Sequence, residues 1–145
     1  MQQRPDALGL FVGEWSMTAG FDPIAPVAPI GRTTFSWLPG RRFLIQRWDI
    51  EYPDAPDGIA IIEFVPEQAT YLQHYYDSRG VARVYEMMFA NSVWTLLRVA
   101  TEPDFSQRFT GTFSEDGNTI VGRWERSNDG LSWTPDFDLT YRRAR

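Results

Sequence analysis

The sequence predicts an all-β protein, a closed up-and-down antiparallel barrel of about ten strands with a short N-terminal helical turn. Short segments of alternating or aromatic-rich sequence recur along the chain, separated by Gly, Pro, Asn and Asp. Aromatic residues make up 15% of the chain, which favours strands over helices. A flat meander of this length would leave two long edges, and closure removes them. Because such a barrel encloses a cavity that side chains need not fill, we expect a small-molecule pocket.

The elements follow from the local sequence. Pro5 and Asp6 open one helical turn before Gly9. The segment "FDPIAPVAP" (21–29) contains three prolines, which prevent regular ladder pairing, and is predicted to cross one end of the sheet as a loop. The strands are predicted near residues 13–22, 30–38, 42–52, 58–65, 70–77, 80–89, 92–100, 105–114, 118–127 and 131–142.

Three joints carry turn chemistry. "LPGR" (38–41) places Pro39 and Gly40 at turn centres, and "EDGN" (115–118) and "NDGL" (128–131) are Asp-Gly hairpins, a pair that accepts positive φ at both central positions. The predicted pairings about the Asp-Gly turns place one set of residues on the inner face: Phe109, Phe113, Ile120, Trp124, Trp133, Phe137 and Leu139. They place charged residues on the outer face, where they can pair across strands: Arg108, Arg123, Glu125, Asp136 and Asp138.

Composition excludes several classes of protein. The 145 residues fit one domain, residues 1–145, and the absence of Cys excludes disulfides, thiolate metal sites and a cysteine nucleophile. A net charge of −5 without a basic block argues against nucleic acid and anionic membranes as partners. No signal peptide or membrane span is evident, so a soluble cytoplasmic protein is expected. The oligomeric state stays open between monomer and homodimer.

The opening strand resembles a known superfamily. "LFVGEWSM" places Gly13, Glu14 and Trp15 after a short turn, and this resembles the Gly-x-Trp opening of calycin barrels, which include lipocalins, fatty-acid-binding proteins and nitrobindins. With "GRTTFSWLPGRRFLIQRW", "HYYDSRGVARVYEM" and "GTFSEDGNTIVGRWE", nearly the whole chain is similar to an uncharacterised bacterial domain family of that superfamily. The resemblance implies that Trp15 plugs one end and that Arg142 or Arg143 packs on it.

The departures from these relatives limit what the resemblance implies. Nitrobindins bind haem through a histidine late in the chain, whereas the only histidine here is His74. Fatty-acid-binding proteins hold a carboxylate with an Arg-x-Tyr arrangement, which "DLTYRR" lacks. No cofactor is therefore expected, and haem bound by His74 is a minor alternative.

The sequence leaves two registers open for the pairing of the strand that carries His74, the only histidine, with the next strand. If "DSRG" (77–80) makes a tight turn, His74 shares a face with Tyr76, Arg83 and Tyr85; a loop one residue longer places it opposite Val84, with Glu86. No second His or Cys exists, so a metal site is not expected. His74, and secondarily Glu86, are candidates for an acid or base. For each of them an ordinary strand position is the alternative.

Two functions of different classes follow. The first is a binding module for a small hydrophobic or aromatic ligand, with predicted contacts from Gln46, Trp48, His74, Tyr76, Tyr85, Met88, Phe109 and Trp124. The second is a cyclase or isomerase that acts on a hydrophobic biosynthetic intermediate through His74 or Glu86. Preferring the tight turn, we predict that His74 and Tyr76 point into the barrel and that Gln73, Tyr75 and Glu86 point out. Arg98 is also expected to point out.

Overall fold

The computed structural model describes residues 5–20, 28–51, 55–101 and 103–144. This part of the chain contains one 3₁₀ helix, Pro5–Phe11, and ten strands. The strands are β1 (Gly13–Gly20), β2 (Ala28–Trp37), β3 (Phe43–Ile50), β4 (Gly58–Val65), β5 (Thr70–Asp77), β6 (Ala82–Ala90), β7 (Val93–Arg98), β8 (Ser106–Phe113), β9 (Thr119–Ser127) and β10 (Thr134–Arg143). The predicted fold class is confirmed.

The strands form a closed barrel in which each pairs antiparallel with its neighbours in the chain. Closure is made by β1 and β10, where Trp15 lies opposite Arg143. The strand order is therefore a simple meander, and no strand of the barrel presents an unpaired edge. No helix in the described residues is long and apolar enough to cross a membrane.

The connections agree with the turn residues in most places. Arg41 N donates to Leu38 O at 2.9 Å, with Pro39 and Gly40 at the turn centres as predicted and Gly40 at φ 99°. At the two Asp-Gly hairpins only Gly117 and Gly130 have positive φ. The aspartates accept backbone N–H groups with their carboxylates instead, as in the 3.0 Å bond from Asn118 N to Asp116. Positive φ at both positions was therefore a wrong expectation.

Aromatic side chains plug one end of the barrel. The ring of Phe11, at the end of the 3₁₀ helix, is fully buried and lies 5.0 to 5.3 Å from four other rings, those of Phe35, Phe89, Trp94 and Phe113. Trp15 is also fully buried, and its Nε1 donates to Phe11 O at 2.9 Å. The plug places much of the apolar core at this end.

Arg143 covers Trp15 from outside. Its guanidinium carbon lies 4.1 Å from the centre of the indole ring. The same guanidinium donates to three backbone carbonyls and one side-chain oxygen, those of Leu10, Val12, Gly117 and Asn118. Of the two arginines considered for this position, Arg143 therefore occupies it, whereas Arg142 is exposed on the outer wall.

The proline-rich loop predicted for residues 21–29 lies mostly outside the described residues. Residues 28 and 29 belong to β2, which starts at Ala28, two residues earlier than predicted. Beside it, the β1–β2 ladder shifts register between Met17 and Thr18, a bulge that bends the sheet where the barrel curves.

Candidate functional site

A cavity of about 500 Å³ occupies the half of the barrel opposite the plug and opens at its far end. Its walls are side chains of β1, β2, β3 and β5 to β10, together with residues of the connections between strands. Because strand residues alternate between the two faces, these strands contribute every second side chain, apart from the adjacent Asp136 and Phe137 at the register shift of β10.

Aromatic rings dominate the lining. Trp48 stacks on Tyr75 with ring centres 5.4 Å apart and an interplanar angle of 30°. On the other wall Trp124 stacks on Phe137 at 6.5 Å and 29°. Phe109 lies 5.1 Å from Trp124 and tilts against it. These rings leave π faces along the cavity, which suits a flat or largely apolar molecule.

Five of the eight predicted contact residues line this cavity, namely Gln46, Trp48, Tyr85, Phe109 and Trp124. The predicted pairing of Phe109 with Trp124 about the Asp116-Gly117 turn is confirmed, as is that of Phe113 with Ile120. Gln46 is buried and its Nε2 donates to Thr33 Oγ1 at 3.2 Å. For Phe109 and Trp124, the strict alternation along the two strands and the Asp-Gly turn between them were enough to predict the inward position.

The other three predicted contacts lie on the outer wall. Tyr76 is 45% exposed, Met88 is 49% exposed, and His74 Nε2 lies 2.8 Å from Glu63 Oε1, outside the barrel. Gln73 and Tyr75 line the cavity instead. The predicted facing of β5 was therefore wrong: His74 and Tyr76 point outward, and Gln73 and Tyr75 point inward. Met88, on β6, was also predicted on the wrong face.

The cause is the loop between β5 and β6. Asp77 N donates to Val81 O at 3.0 Å, and Gly80 N to Asp77 O at 2.9 Å, with Gly80 at φ 83°. The loop thus holds one residue more than a tight turn, and His74 pairs with Val84. Since side chains alternate with a period of two, this single residue moves the whole strand to the opposite face.

Neither acid–base candidate reaches the cavity. His74 is on the outer wall, and Glu86 is exposed there beside Leu72, its partner on β5. The outward direction predicted for Glu86 is confirmed, although the turn that led to it was wrong. Their position excludes a cyclase or isomerase that uses these two groups inside the cavity, and it excludes haem ligated by His74 inside the barrel.

Two further expectations are corrected near the ends of the strands. Trp133 was predicted inside, but its ring packs on the outer wall under the guanidinium of Arg108, 4.3 Å from the ring centre. Asp136 was predicted outside, but a register shift between Pro135 and Phe137 brings it to the cavity mouth. The outer ion pairs of Arg108 with Glu125 and of Arg123 with Asp138 are confirmed, at 3.0 and 2.8 Å.

Arg98 also belongs to the inner wall rather than the outer one. Its Nε donates to Gln107 Oε1 at 3.2 Å, and Tyr85 OH donates to the same oxygen at 2.9 Å. Since Arg98 is only a donor, the amide orientation of Gln107 is determined, and its NH₂ group is left for other acceptors. Burial raises the pKa of Tyr85, with Arg83 and Arg98 acting in the opposite direction.

A further amide lies deeper in the barrel. Gln73 is 4% exposed and lines the cavity, and its amide makes no hydrogen bond within the described part of the chain. Its donor and acceptor groups can therefore bond to a polar group of a molecule held in the cavity. Sequence reasoning missed Gln73 because the facing of β5 was reversed.

Tyr75, Asp77 and Arg79 form a hydrogen-bonded group at the mouth. Tyr75 OH donates to Asp77 Oδ2 at 2.6 Å, and Arg79 Nη2 donates to the same oxygen at 2.6 Å. Burial and the bond to Asp77 raise the pKa of Tyr75 above its usual range. Burial acts to raise the pKa of Asp77, but the hydrogen bonds from Arg79 and Tyr75 outweigh it and lower this pKa to about 2.

We expect Asp77 to make the barrel sensitive to acid. Because its folded pKa of about 2 lies below the unfolded value, its contribution is present above about pH 4 and is lost as the pH falls towards 2. A lowering of the pKa from 3.8 to about 2 corresponds to about 2 to 3 kcal/mol. Urea unfolding between pH 5 and 2 should therefore show the stability difference between wild type and Asp77→Asn shrinking in acid. Parallel pH profiles would contradict the assignment.

Comparisons with known proteins relate the chain to others through its fold. No family model matches the sequence, and no curated protein matches it. Among solved structures, the chain is similar to Rv2717c from M. tuberculosis, with a TM-score of 0.60 and 14% sequence identity, covering 97% of this chain and 96% of that one. This likeness is one of fold. At that identity it carries no ligand or activity across.

Proposed function

We propose that this protein binds a small, largely apolar molecule with an aromatic part inside the barrel. The observation that carries the proposal is the open cavity of about 500 Å³ with aromatic walls. Pockets of this size that combine apolar walls with a few polar groups are typical of small-molecule sites.

The distribution of the aromatic residues supports binding over simple packing. At the plugged end, the ring of Phe11 packs against its neighbours, with its centre 5.1 Å from that of Trp94 and 5.0 Å from that of Phe113. In the open half, Trp48 and Phe137 lie on different walls and each contacts a ring of its own wall. Apolar surface left facing a cavity is unfavourable in water, so a ligand that covers it gains free energy.

Polar groups in the wall would orient such a ligand. The amides of Gln73 and Gln107 face the cavity on different sides, β5 and β8, and each has hydrogen-bonding capacity left. A few fixed donors and acceptors among apolar residues select the orientation of a ligand more than its overall affinity. The amides favour a molecule with neutral polar atoms, such as carbonyl or hydroxyl groups, within its apolar frame.

Membership of the calycin superfamily is part of the proposal. Its support is the N-terminal strand, where Trp15 closes the barrel end under the guanidinium of Arg143. Small ligands held inside the barrel are what that resemblance implies.

A cavity-filling substitution tests the proposal. Leu96 lines the cavity, whereas its neighbour Leu97 faces outward opposite Arg108 on the next strand. We expect wild type to bind the neutral dye N-phenyl-1-naphthylamine, and Leu96→Trp to weaken this binding by about tenfold or more, equal to about 1.4 kcal/mol. Calorimetric titration provides the affinity and stoichiometry.

The matched control is Leu97→Trp, which adds the same side chain outside the barrel and should leave the affinity within about twofold. Two results would overturn the proposal. One is no binding by any member of a panel of apolar and aromatic compounds. The other is dye binding that Leu96→Trp and Leu97→Trp change equally.

A further inference from the structure

Several guanidinium groups converge at one side of the cavity mouth. The ring of Phe105, between β7 and β8, lies 4.3 Å from the guanidinium carbon of Arg126, 5.4 Å from that of Arg98 and 5.6 Å from that of Arg83. Phe105 and Arg83 both line the cavity. Three like charges around one ring repel each other; the carboxylate of Asp104 offsets part of this repulsion, and a further anion would offset more of it.

One of these arginines is already neutralised and has a structural task. Arg98 Nη1 lies 2.9 Å from Asp104 Oδ2, and its Nη2 donates to Phe105 O at 2.7 Å. These bonds hold the β7–β8 connection and the Phe105 ring in place. The nearby Arg79 is likewise paired, at 2.6 Å, with the buried carboxylate of Asp77.

Arg83 and Arg126 differ from these two. Within the described residues, neither has a carboxylate oxygen within 4.0 Å of its guanidinium. Arg83 lies two residues before Tyr85 on the inward face of β6, so its side chain borders both the cavity and the mouth. Arg126, near the end of β9, lies over Phe105 from the solvent side.

We propose that the mouth beside Phe105 is an anion site, and that the ligand of the barrel carries a carboxylate or a similar oxyanion there, bound by Arg83 with support from Arg126. The planar fork of a guanidinium matches the two oxygens of such a group. The inference deepens the proposed function and rests on it: the aromatic part of the ligand lies in the cavity, and its anionic end lies at the mouth.

An acidic residue makes the distribution of charge at the mouth asymmetric. Asp136, on β10, also lines the cavity, so the mouth carries arginines on β6 and β9 and an acidic group on β10. An anion is attracted to the first and repelled by the second. The ligand is thereby bound in one orientation across the mouth.

Two dyes that differ by one sulfonate test the site. 1-Anilinonaphthalene-8-sulfonate is N-phenyl-1-naphthylamine with an added anionic group, and its sulfonate is charged at every pH used for proteins. We expect wild type to bind the sulfonate at least about tenfold more tightly than the neutral dye, a difference of about 1.4 kcal/mol. This preference should shrink in about 0.5 M salt, because salt screens exposed charges.

Substitution at the mouth assigns the preference to a residue. Arg83→Gln should lower the affinity for the sulfonate, relative to that for the neutral dye, by about fivefold or more, and the retained binding of the neutral dye shows that the variant is folded. Arg47→Gln is the matched control, since it removes the same charge from the outer wall, and it should change neither affinity.

The outcomes separate the two proposals. If neither dye binds, the proposed function fails. If the neutral dye binds and the sulfonate binds no more tightly, or if Arg83→Gln and Arg47→Gln act alike, the cavity stands and the anion site is wrong. Competition against the bound sulfonate dye then tests the carboxylate: 1-naphthaleneacetate should compete better than the neutral 1-naphthaleneacetamide, and equal competition would contradict it.

Discussion

Replacing Trp15 with alanine is expected to destabilise the barrel by about 3 to 5 kcal/mol. Trp15 is fully buried, donates from Nε1 to Phe11 O at 2.9 Å, and supports the guanidinium of Arg143 at 4.1 Å. The substitution therefore leaves a large void, removes the bond that fixes the 3₁₀ helix, and deprives Arg143 of the ring below it. Urea unfolding followed by circular dichroism measures the loss.

Trp133→Ala is the control for this experiment. Trp133 packs on the outer wall under Arg108, so its removal should cost about 1 kcal/mol or less. The comparison tests whether the plug, and not tryptophan content as such, stabilises the fold. Equal losses for the two variants would contradict the role assigned to Trp15.

Gly31→Ala is expected to cost about 3 kcal/mol or more, because a backbone atom stands where the new methyl group must go. A Cβ at this position would overlap the carbonyl oxygen of Asp49 on β3 and approach the Cα of Ile50 at 3.0 Å. Neither atom belongs to a side chain that can rotate away. The strands would have to separate next to the β1 bulge, where Gly31 pairs with Met17.

Gly9→Ala is the matched control, since nothing lies within 4 Å of a Cβ built on Gly9. Alanine there reduces the entropy of the unfolded chain, so we expect unchanged or slightly increased stability, by less than about 1 kcal/mol. Thermal unfolding of the two variants provides the measurement. If Gly31→Ala unfolds at the wild-type temperature, the close approach of β2 and β3 is not as described.

The architecture followed from local information in the sequence. Short alternating segments between turn residues predicted all ten strands, whereas the plugged end was implied by the resemblance of Gly13-Glu14-Trp15 to the opening of calycin barrels. Alternation and turn preference depend on residues close together in the chain, since alternation is a property of one strand and turn preference a property of four residues. For the same reason the inward positions of Phe109 and Trp124 were predicted from a single hairpin.

The local sequence pattern alone did not determine which side chains line the cavity. On β5 both faces carry aromatic residues, with Tyr75 inside and Tyr76 outside, so the composition of the strand does not distinguish them. The decision came from a loop one residue longer than predicted, with Gly80 at φ 83°. That residue reversed the expected positions of Gln73 and His74.

The arginines at the cavity mouth likewise could not be brought together from local sequence pattern. Arg83 and Arg126 are far apart in the chain, and only the side-by-side packing of β6 to β9 brings both against Phe105. Sequence patterning determined that this chain forms a barrel with an aromatic interior. The tertiary structure decided which polar groups that interior presents, because strand facing depends on loop length to a single residue and because the packing of neighbouring strands joins side chains that no local pattern relates.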